Sequence, residues 1–177
     1  MENQTTTTRI ALKWGLISGI ISIILSLATQ FLGIKNTGDA SIGFVLSIIA
    51  LAFTCLIQVL AMKDFKSQNN DLMTYGQGLG IGLLAGAVWG VVSGGFNMLY
   101  IKYIDNSEVV RQANLMREKL EEQGGTDAQM EMNEKIIAWA TDPSLAFIVT
   151  IFMGLLTGLL LALVVSAILK KEKSIFE

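Results

Sequence analysis

The side chains that most often perform chemistry in proteins are scarce in this sequence. Histidine, the commonest general base and metal ligand, is absent, and Cys55 is the single cysteine. One cysteine excludes a disulfide within the chain and a paired-cysteine metal site, so we interpret Cys55 as a packing residue in its apolar run. Alternate glycines from Gly76 to Gly82 suggest a phosphate cradle, but such a loop needs a preceding strand, and here the surroundings are apolar and helical.

Carboxylates are concentrated in one charged segment, residues 105–142. A membrane enzyme that acts on lipid would need two of these acids to converge, but Asp105 and Asp142 are already explained as helix caps. The other acids could bind a divalent cation, although a solvated helix surface is the simpler explanation: Glu118, Glu121, Glu122, Glu131 and Glu134. We therefore predict no catalytic residue, no metal, no cofactor and no enzymatic activity.

The composition indicates a membrane protein. Of the 177 residues, 52% are hydrophobic, one is proline, and the mean hydropathy is +0.55. The net charge of −2 comes without a basic stripe that could follow a phosphate backbone, so nucleic acid is excluded as a partner. The lipid bilayer is the partner that composition predicts.

Four apolar runs are long enough to cross a bilayer, since about 20 residues span a hydrocarbon core of about 30 Å. The first is too long for a signal peptide, so we expect it to be retained. The sequence predicts an all-α, integral membrane four-helix bundle in one domain, residues 1–177, with spans at about 10–34, 41–62, 75–103 and 144–169. Residues 1–8 are predicted to be a disordered tail, 35–40 a turn and 63–74 a polar linker.

The charged segment between the third and fourth spans predicts an extramembrane helical hairpin. Asp105 and Glu108 have capping-box spacing before the first helix, which should end at Gly124, and Thr126 and Gln129 repeat that spacing before the second. The apolar faces either pack on each other, lie on headgroups or dock on a partner. Those faces comprise Val109, Ala113, Met116 and Leu120 in the first helix, and Met132, Ile136, Trp139 and Ala140 in the second.

The third span carries a row of glycines at every fourth position. In water each would cost a helix about 0.5–1 kcal/mol relative to alanine, but in hydrocarbon unpaired backbone groups are costlier still, so the helix is enforced. The row then becomes a close-packing surface, which Ser93 and Asn97 extend and beside which Trp89 is expected to fill space. The glycine row consists of Gly78, Gly82, Gly86, Gly90 and Gly94, and the bulky residues opposite are Ile81, Leu84, Val88, Val91 and Val92.

The other spans also carry small residues at helical spacing. Gly154 and Gly158 in the last span offer one such contact. In the first span the small residues are Gly15, Ser18, Gly19, Ser22 and Ser26. In the second span the small and polar side predicted to face the bundle is Ser47, Ala50, Thr54, Gln58 and Ala61.

The basic residues predict an orientation. The positive-inside rule places both termini and the second connector in the cytoplasm, and the hairpin outside. The residues on which this depends are Arg9, Lys13, Lys63, Lys66, Lys170, Lys171 and Lys173.

The ordered features resemble a known bacterial family. The chain is similar to the domain-of-unknown-function family 4199 in three features. These are four spans, a polar linker that leads into LMTYGQGLGIG with Tyr75, Gly76 and Gln77, and a charged helical insert before the last span. Those proteins are short four-helix membrane proteins found mainly in Bacteroidetes. The resemblance implies a bacterial inner membrane with the hairpin in the periplasm, and no catalytic residues, because the family has no established activity.

Two functions agree with these observations. We favour a non-enzymatic membrane protein that acts through helix packing, as a homo-oligomer or as an accessory subunit whose hairpin binds the partner. The alternative is a small-solute transporter or channel, in which the glycines with Gln58, Ser93 and Asn97 line a polar path.

Overall fold

A computed structural model describes residues 6–33 and 40–171 of the chain, and it is helical throughout apart from turns and one isolated backbone bridge. Four of its helices are long and apolar enough to cross a membrane, so the predicted all-α class and the four apolar helices are confirmed. The predicted turn at 35–40 lies outside the described residues except for Ala40. The six helices of the described part are α1 (Thr7–Phe31), α2 (Ala40–Ser67), α3 (Tyr75–Tyr103), α4 (Ser107–Glu122), α5 (Asp127–Ala140) and α6 (Pro143–Leu169).

Capping side chains determine where α3 and α6 begin. The hydroxyl of Thr74 accepts the backbone N–H of Gln77 at 3.3 Å, and Gln77 Oε1 accepts the N–H of Thr74 at 2.8 Å. Asp142 Oδ1 accepts two N–H groups of the first turn of α6, at 2.8 and 3.0 Å, and Pro143 occupies a first-turn position that needs no hydrogen bond. The predicted bounds of α3 and the predicted cap of α6 are therefore confirmed.

The first two helices differ from their predicted bounds. α1 begins at Thr7, inside the predicted tail, because the Thr6 hydroxyl caps it by accepting the N–H of Arg9 at 3.3 Å. α2 continues to Ser67 rather than ending at 62, because Phe65 packs in the core with 2% of its surface exposed. The first part of the predicted polar linker is thus helical, and this prediction was wrong.

α4 is not opened by the predicted capping box. Asp105 Oδ1 accepts the N–H of Ser107 at 2.8 Å, and this hydrogen bond holds the pKa of Asp105 below its usual range. Glu108 instead binds Arg111 on the next turn, at 2.8 Å. The predicted stop is confirmed, since Gly124 adopts a φ of 69° and the chain leaves the helix there.

α4 and α5 touch through small and aliphatic side chains. Ala113 and Ile137 are 8% and 5% exposed, so the contact between the helices passes through them. The predicted stripe of α5 is exposed instead, with Met132 at 59% and Trp139 at 74%. The side chain of Ala140, the fourth residue of that stripe, is not among those that the structure describes.

α3 makes the most extensive contacts, with α6 on one side and α1 on the other. α2 joins them only through its C-terminal half, where Gln58 and Ala61 are buried as expected. Ser47 and Ala50 are exposed, so the predicted inward side of α2 is wrong for its N-terminal half. The core lies at the end of the bundle where α2 and α6 finish, and includes Ile10, Met62, Phe65, Met73, Ile81 and Val165.

A small clasp closes this end of the bundle. Met73 and Lys171 exchange both backbone hydrogen bonds at 2.9 Å, which ties the segment before α3 to the chain leaving α6. Lys171 Nζ also lies 2.5 Å from Asp71 Oδ2, and Lys66 Nζ lies 3.5 Å from Asp71 Oδ1. Asn70 and Asp71 reach this position with φ of 51° and 61°, a conformation that non-glycine residues rarely adopt.

The clasp makes stability depend on pH. The hydrogen bond from Lys171 holds the pKa of Asp71 below its usual value, so the ionised carboxylate stabilises the fold above the unfolded pKa of about 4. That stabilisation is lost as the pH falls through the lowered pKa of the folded state. We expect Asp71→Asn to melt below wild type at pH 7, with a difference that shrinks as the pH falls below about 4, measured by circular dichroism in detergent.

Glu134→Gln, which removes a carboxylate from the exposed face of α5, is the matched control and should keep the pH dependence of wild type. Equal melting of Asp71→Asn and wild type at pH 7 would contradict a stabilising clasp.

Candidate functional site

The glycine row lies against α6 of the same chain. A Cβ built on Gly90 would lie 2.7 Å from the Cα of Ile151, and Cβ atoms on Gly154 and Gly158 would lie 2.5 Å from carbonyl oxygens of α3. No side chain fits at these positions. The first neighbours along the row are Ser166 for Gly78, Ala162 for Gly82, Gly154 for Gly86, Ile151 for Gly90, and Phe147 with Thr150 for Gly94.

Close approach stabilises this contact because lipid tails are as apolar as the side chains, so burial alone drives little association. Dispersion between backbones and weak Cα–H···O contacts remain, and both require short distances. Small residues on α6 complement the glycines, since Ala162 and Ser166 are fully buried. The row is therefore occupied within the chain.

The opposite side of α3 packs on α1. A Cβ on Gly15 would lie 2.6 Å from Val88 Cβ, and one on Gly19 would lie 2.7 Å from Val92 Cγ1. Two valines of α3 thus fit into two glycine notches of α1. The sequence showed both sets of residues, but spacing within a helix does not reveal which neighbour each set meets.

Ser93 forms its hydrogen bond to α1 and not across the glycine row. Its Oγ lies 2.6 Å from Ser22 Oγ, which also accepts the indole N–H of Trp89 at 3.1 Å. Because the one hydroxyl hydrogen of Ser22 is donated to the carbonyl of Gly19 at 2.8 Å, Ser93 supplies the hydrogen between the two serines. Trp89 also contacts Gly154, so it fills space beside the row.

Asn97 is exposed and lines a separate cleft of about 510 Å³ between α1, α3 and the start of α4. Gln58 lies elsewhere, buried among α2, α3 and α6. The structure therefore does not bring Gln58, Ser93 and Asn97 to one surface, and the polar path of the transport hypothesis is not formed by them.

Gln58 crosses from α2 to the α3–α6 contact. Its Nε2 donates to the carbonyl of Gly158 at 2.8 Å, which is reachable because Gly158 has no side chain. Its Oε1 is the one buried side-chain oxygen or nitrogen of the described residues without a hydrogen-bond partner. Gln58 also lines a cavity of about 120 Å³, bounded by α2, α3, α6 and Ser18 of α1.

Sequence reasoning missed an ionic cluster beside the core. Asp64 Oδ2 accepts Lys13 Nζ at 2.7 Å and Trp14 Nε1 at 2.8 Å, and its Oδ1 accepts Gln68 Nε2 at 2.7 Å. A lysine inside an apolar run was the available signal, since such a cation needs a partner. Among the described residues, no three carboxylate or thiol groups converge as metal ligands would.

Comparison with known proteins adds one finding. The family model described as "Protein of unknown function (DUF4199)" matches residues 13–171, which takes in most of α1 and all of the helices after it. No curated protein and no solved structure matches the chain.

The contact between α3 and α6 predicts the effect of one methyl group. Gly86→Ala should force the two helices apart and lower the free energy of unfolding by about 1–3 kcal/mol, because the new Cβ meets the Gly154 carbonyl. Gly80→Ala is the matched control on the same helix, since nothing lies within 4 Å of its Cβ position. We expect its stability to match wild type or exceed it slightly. Unfolding by SDS titration measures both, and equal midpoints would contradict the packing assignment.

Proposed function

The chain belongs to the DUF4199 family of proteins of unknown function, and from its structure we propose that it is a non-enzymatic subunit of a membrane complex that binds a protein through α5. The partner is either a different membrane protein, which makes this chain an accessory subunit, or a second copy of the chain. The observation that carries the proposal is an exposed apolar stripe on α5.

The α5 stripe consists of Met132, Ile136 and Trp139, one turn apart along one side of the helix. Their exposed fractions are 59%, 50% and 74%. Ile137, not the stripe, is the buried residue of α5, and it lines a pocket together with Ala113 of α4. α5 lies outside the four apolar helices. Apolar side chains at contiguous positions on a water-facing helix mark a surface that something else covers.

The charge of α5 favours a protein over the bilayer surface as that cover. Helices that lie on membranes are rich in lysine and arginine on their polar face, which anionic lipids attract. α5 has the opposite balance, with Asp127, Glu131 and Glu134 against the single cation Lys135. Anionic headgroups would repel it.

The glycine row does not supply the proposed interface. It is covered by α6 of the same chain, so its five positions are already filled. Assembly by the row, as the spacing alone suggested, would require α6 to leave. Association is therefore expected at α5.

A non-enzymatic role is supported by what the acids of the charged segment do. Asp105 and Asp142 accept backbone N–H groups at helix starts. Glu108 pairs with Arg111, and Glu131 lies 2.8 Å from Lys135. These carboxylates are engaged locally and do not form a convergent pair.

For location, we propose the bacterial inner membrane with both termini in the cytoplasm. Lys13, Lys66 and Lys171 lie at one end of the bundle, beside the clasp and the Asp64 cluster. The positive-inside rule assigns such an end to the cytoplasm. α4 and α5 then lie on the other side.

The α5 stripe is tested by a photo-crosslinking amino acid placed at Trp139 in the full chain in native membranes. We expect a protein adduct, because the stripe lies in the proposed interface. An adduct of twice the 19.2 kDa chain mass identifies a second copy, and any other discrete mass identifies a different subunit.

Glu134 is the matched control position, since it is exposed on the opposite side of the same helix. A crosslinker there should give little or no adduct. Labelling of phospholipid from Trp139, or equal labelling from both positions, would refute the proposed interface.

A further inference from the structure

The amide of Gln58 has an orientation that one hydrogen bond dictates. Nε2 donates to the carbonyl of Gly158, and exchanging the two amide atoms would place two carbonyl-type oxygens 2.8 Å apart. Oε1 is therefore the amide atom that does not bond to Gly158. It is buried, in a residue that is 4% exposed, and it has no hydrogen-bond partner.

An unpaired buried oxygen in hydrocarbon is costly. Leaving such an acceptor unsatisfied is disfavoured, and no water is available in the bilayer core to replace the missing donor. On the side of α3, the neighbour is Gly82, whose Cβ position lies 3.1 Å from Oε1. An α-hydrogen there is at best a weak donor, so the acceptor is not satisfied by the helix.

The cavity beside Gln58 has the size and character of a small-molecule site. Its volume of about 120 Å³ approaches that of engineered protein cavities, about 150 Å³, which admit benzene. Its large apolar side chains are Phe53, Ile57, Trp89 and Met153. No ionisable side chain lines it, but three hydroxyl side chains do: Ser18, Thr54 and Thr157.

The cavity lies where α2 departs from the other helices. One side of α2 is buried between Ile57 and Phe65, whereas Phe44 and Ile49, nearer its start, are 68% and 58% exposed. A molecule dissolved in the bilayer therefore has a route along α2 to Gln58. Ions are not expected there, because nothing in the lining compensates a charge.

We infer that this cavity binds an uncharged hydrophobic molecule bearing a hydroxyl group, an alcohol or a phenol, whose O–H donates to Gln58 Oε1. The terminal torsion of glutamine is soft, so a small rotation of the amide presents Oε1 to the cavity. The apolar walls hold the body of the ligand, and the oxygen selects the hydroxyl. A molecule of equal shape without a donor leaves Oε1 unpaired and binds more weakly.

The probes are 4-fluorophenol and 4-fluorotoluene, which have similar shape and differ in the hydroxyl. ¹⁹F NMR titration of the full chain in detergent, corrected for partition into empty micelles, measures both affinities. We expect wild type to favour the phenol about tenfold, the ratio that one satisfied buried acceptor supplies. Gln58→Met should remove that preference, so that the two affinities become about equal.

Thr54→Val is the matched control, because Thr54 lines the same cavity and its hydroxyl is already donated to the carbonyl of Ala50 at 2.8 Å. It should keep the tenfold preference. A second measurement needs no variant of Gln58. The indole N–H resonance of Trp89 should shift on titration with either probe, and a lower concentration of 4-fluorophenol than of 4-fluorotoluene should suffice. The indole resonances of Trp14 and Trp139 should not shift.

Equal affinities of wild type for the two probes, or a phenol preference that survives Gln58→Met, would overturn the site. An unshifted Trp89 resonance would do so as well. This result is independent of crosslinking at α5, since the cavity lies in the bundle and shares no residue with the α5 stripe.

Discussion

The close approach of α3 and α6 depends on a property of hydrocarbon as a solvent. A backbone that cannot hydrogen-bond to water must satisfy itself, so even a segment with a glycine at every fourth position stays helical. In water the same glycines would weaken the helix. Once the helix is enforced, the missing side chains let two backbones meet at distances where Gly86 and Gly154 have no room for a methyl group. Dispersion and weak Cα–H···O contacts then replace the hydrophobic effect as the attraction between helices.

This contact determines how the other helices are placed. With α6 on the glycine side of α3, the bulky side is left for α1, where Val88 and Val92 enter the notches at Gly15 and Gly19. The N-terminal half of α2 also carries small residues at helical spacing, Gly43, Ser47 and Ala50, yet it stays exposed, and α2 packs only between Ile57 and Phe65. The partial packing of α2 leaves the cavity beside Gln58. The arrangement of α1, α3 and α6 thus follows from which faces of these helices carry bare backbone.

Much of the architecture could be predicted from local signals. Hydropathy located the spans. Two helix starts followed from capping, by Thr74 with Gln77 and by Asp142 with Pro143, and one helix end followed from Gly124. Each of these effects acts within a few residues of the sequence. The end of α2 could not be predicted this way. Phe65 and Asp64 are helical because of contacts with residues far along the chain, and composition alone made that stretch look like a linker.

The same limit applied to the candidate site. Periodicity identified the glycine row and the notches of α1 but not their partners, since a face of a helix does not encode which neighbour it meets. It also marked a stripe on α5, yet the residue buried against α4 is Ile137, outside that stripe. For Gln58, the sequence indicated only that a polar group faces the bundle. That its Nε2 is used and its Oε1 is not depends on the position of the Gly158 carbonyl, which only packing determines.

The two features proposed as functional share one physical trait: each is a group that the fold leaves unsatisfied. Elsewhere polar side chains are paired even where pairing is difficult, as Trp89, Ser22 and Ser93 show within the bundle. Against that background, an unpartnered amide oxygen beside a cavity and an uncovered apolar stripe on an acidic helix are departures from the rule. In residues 6–33 and 40–171, every other buried side-chain nitrogen or oxygen has a hydrogen-bond partner. That these two features remain open is the reason to assign them to molecules outside the chain.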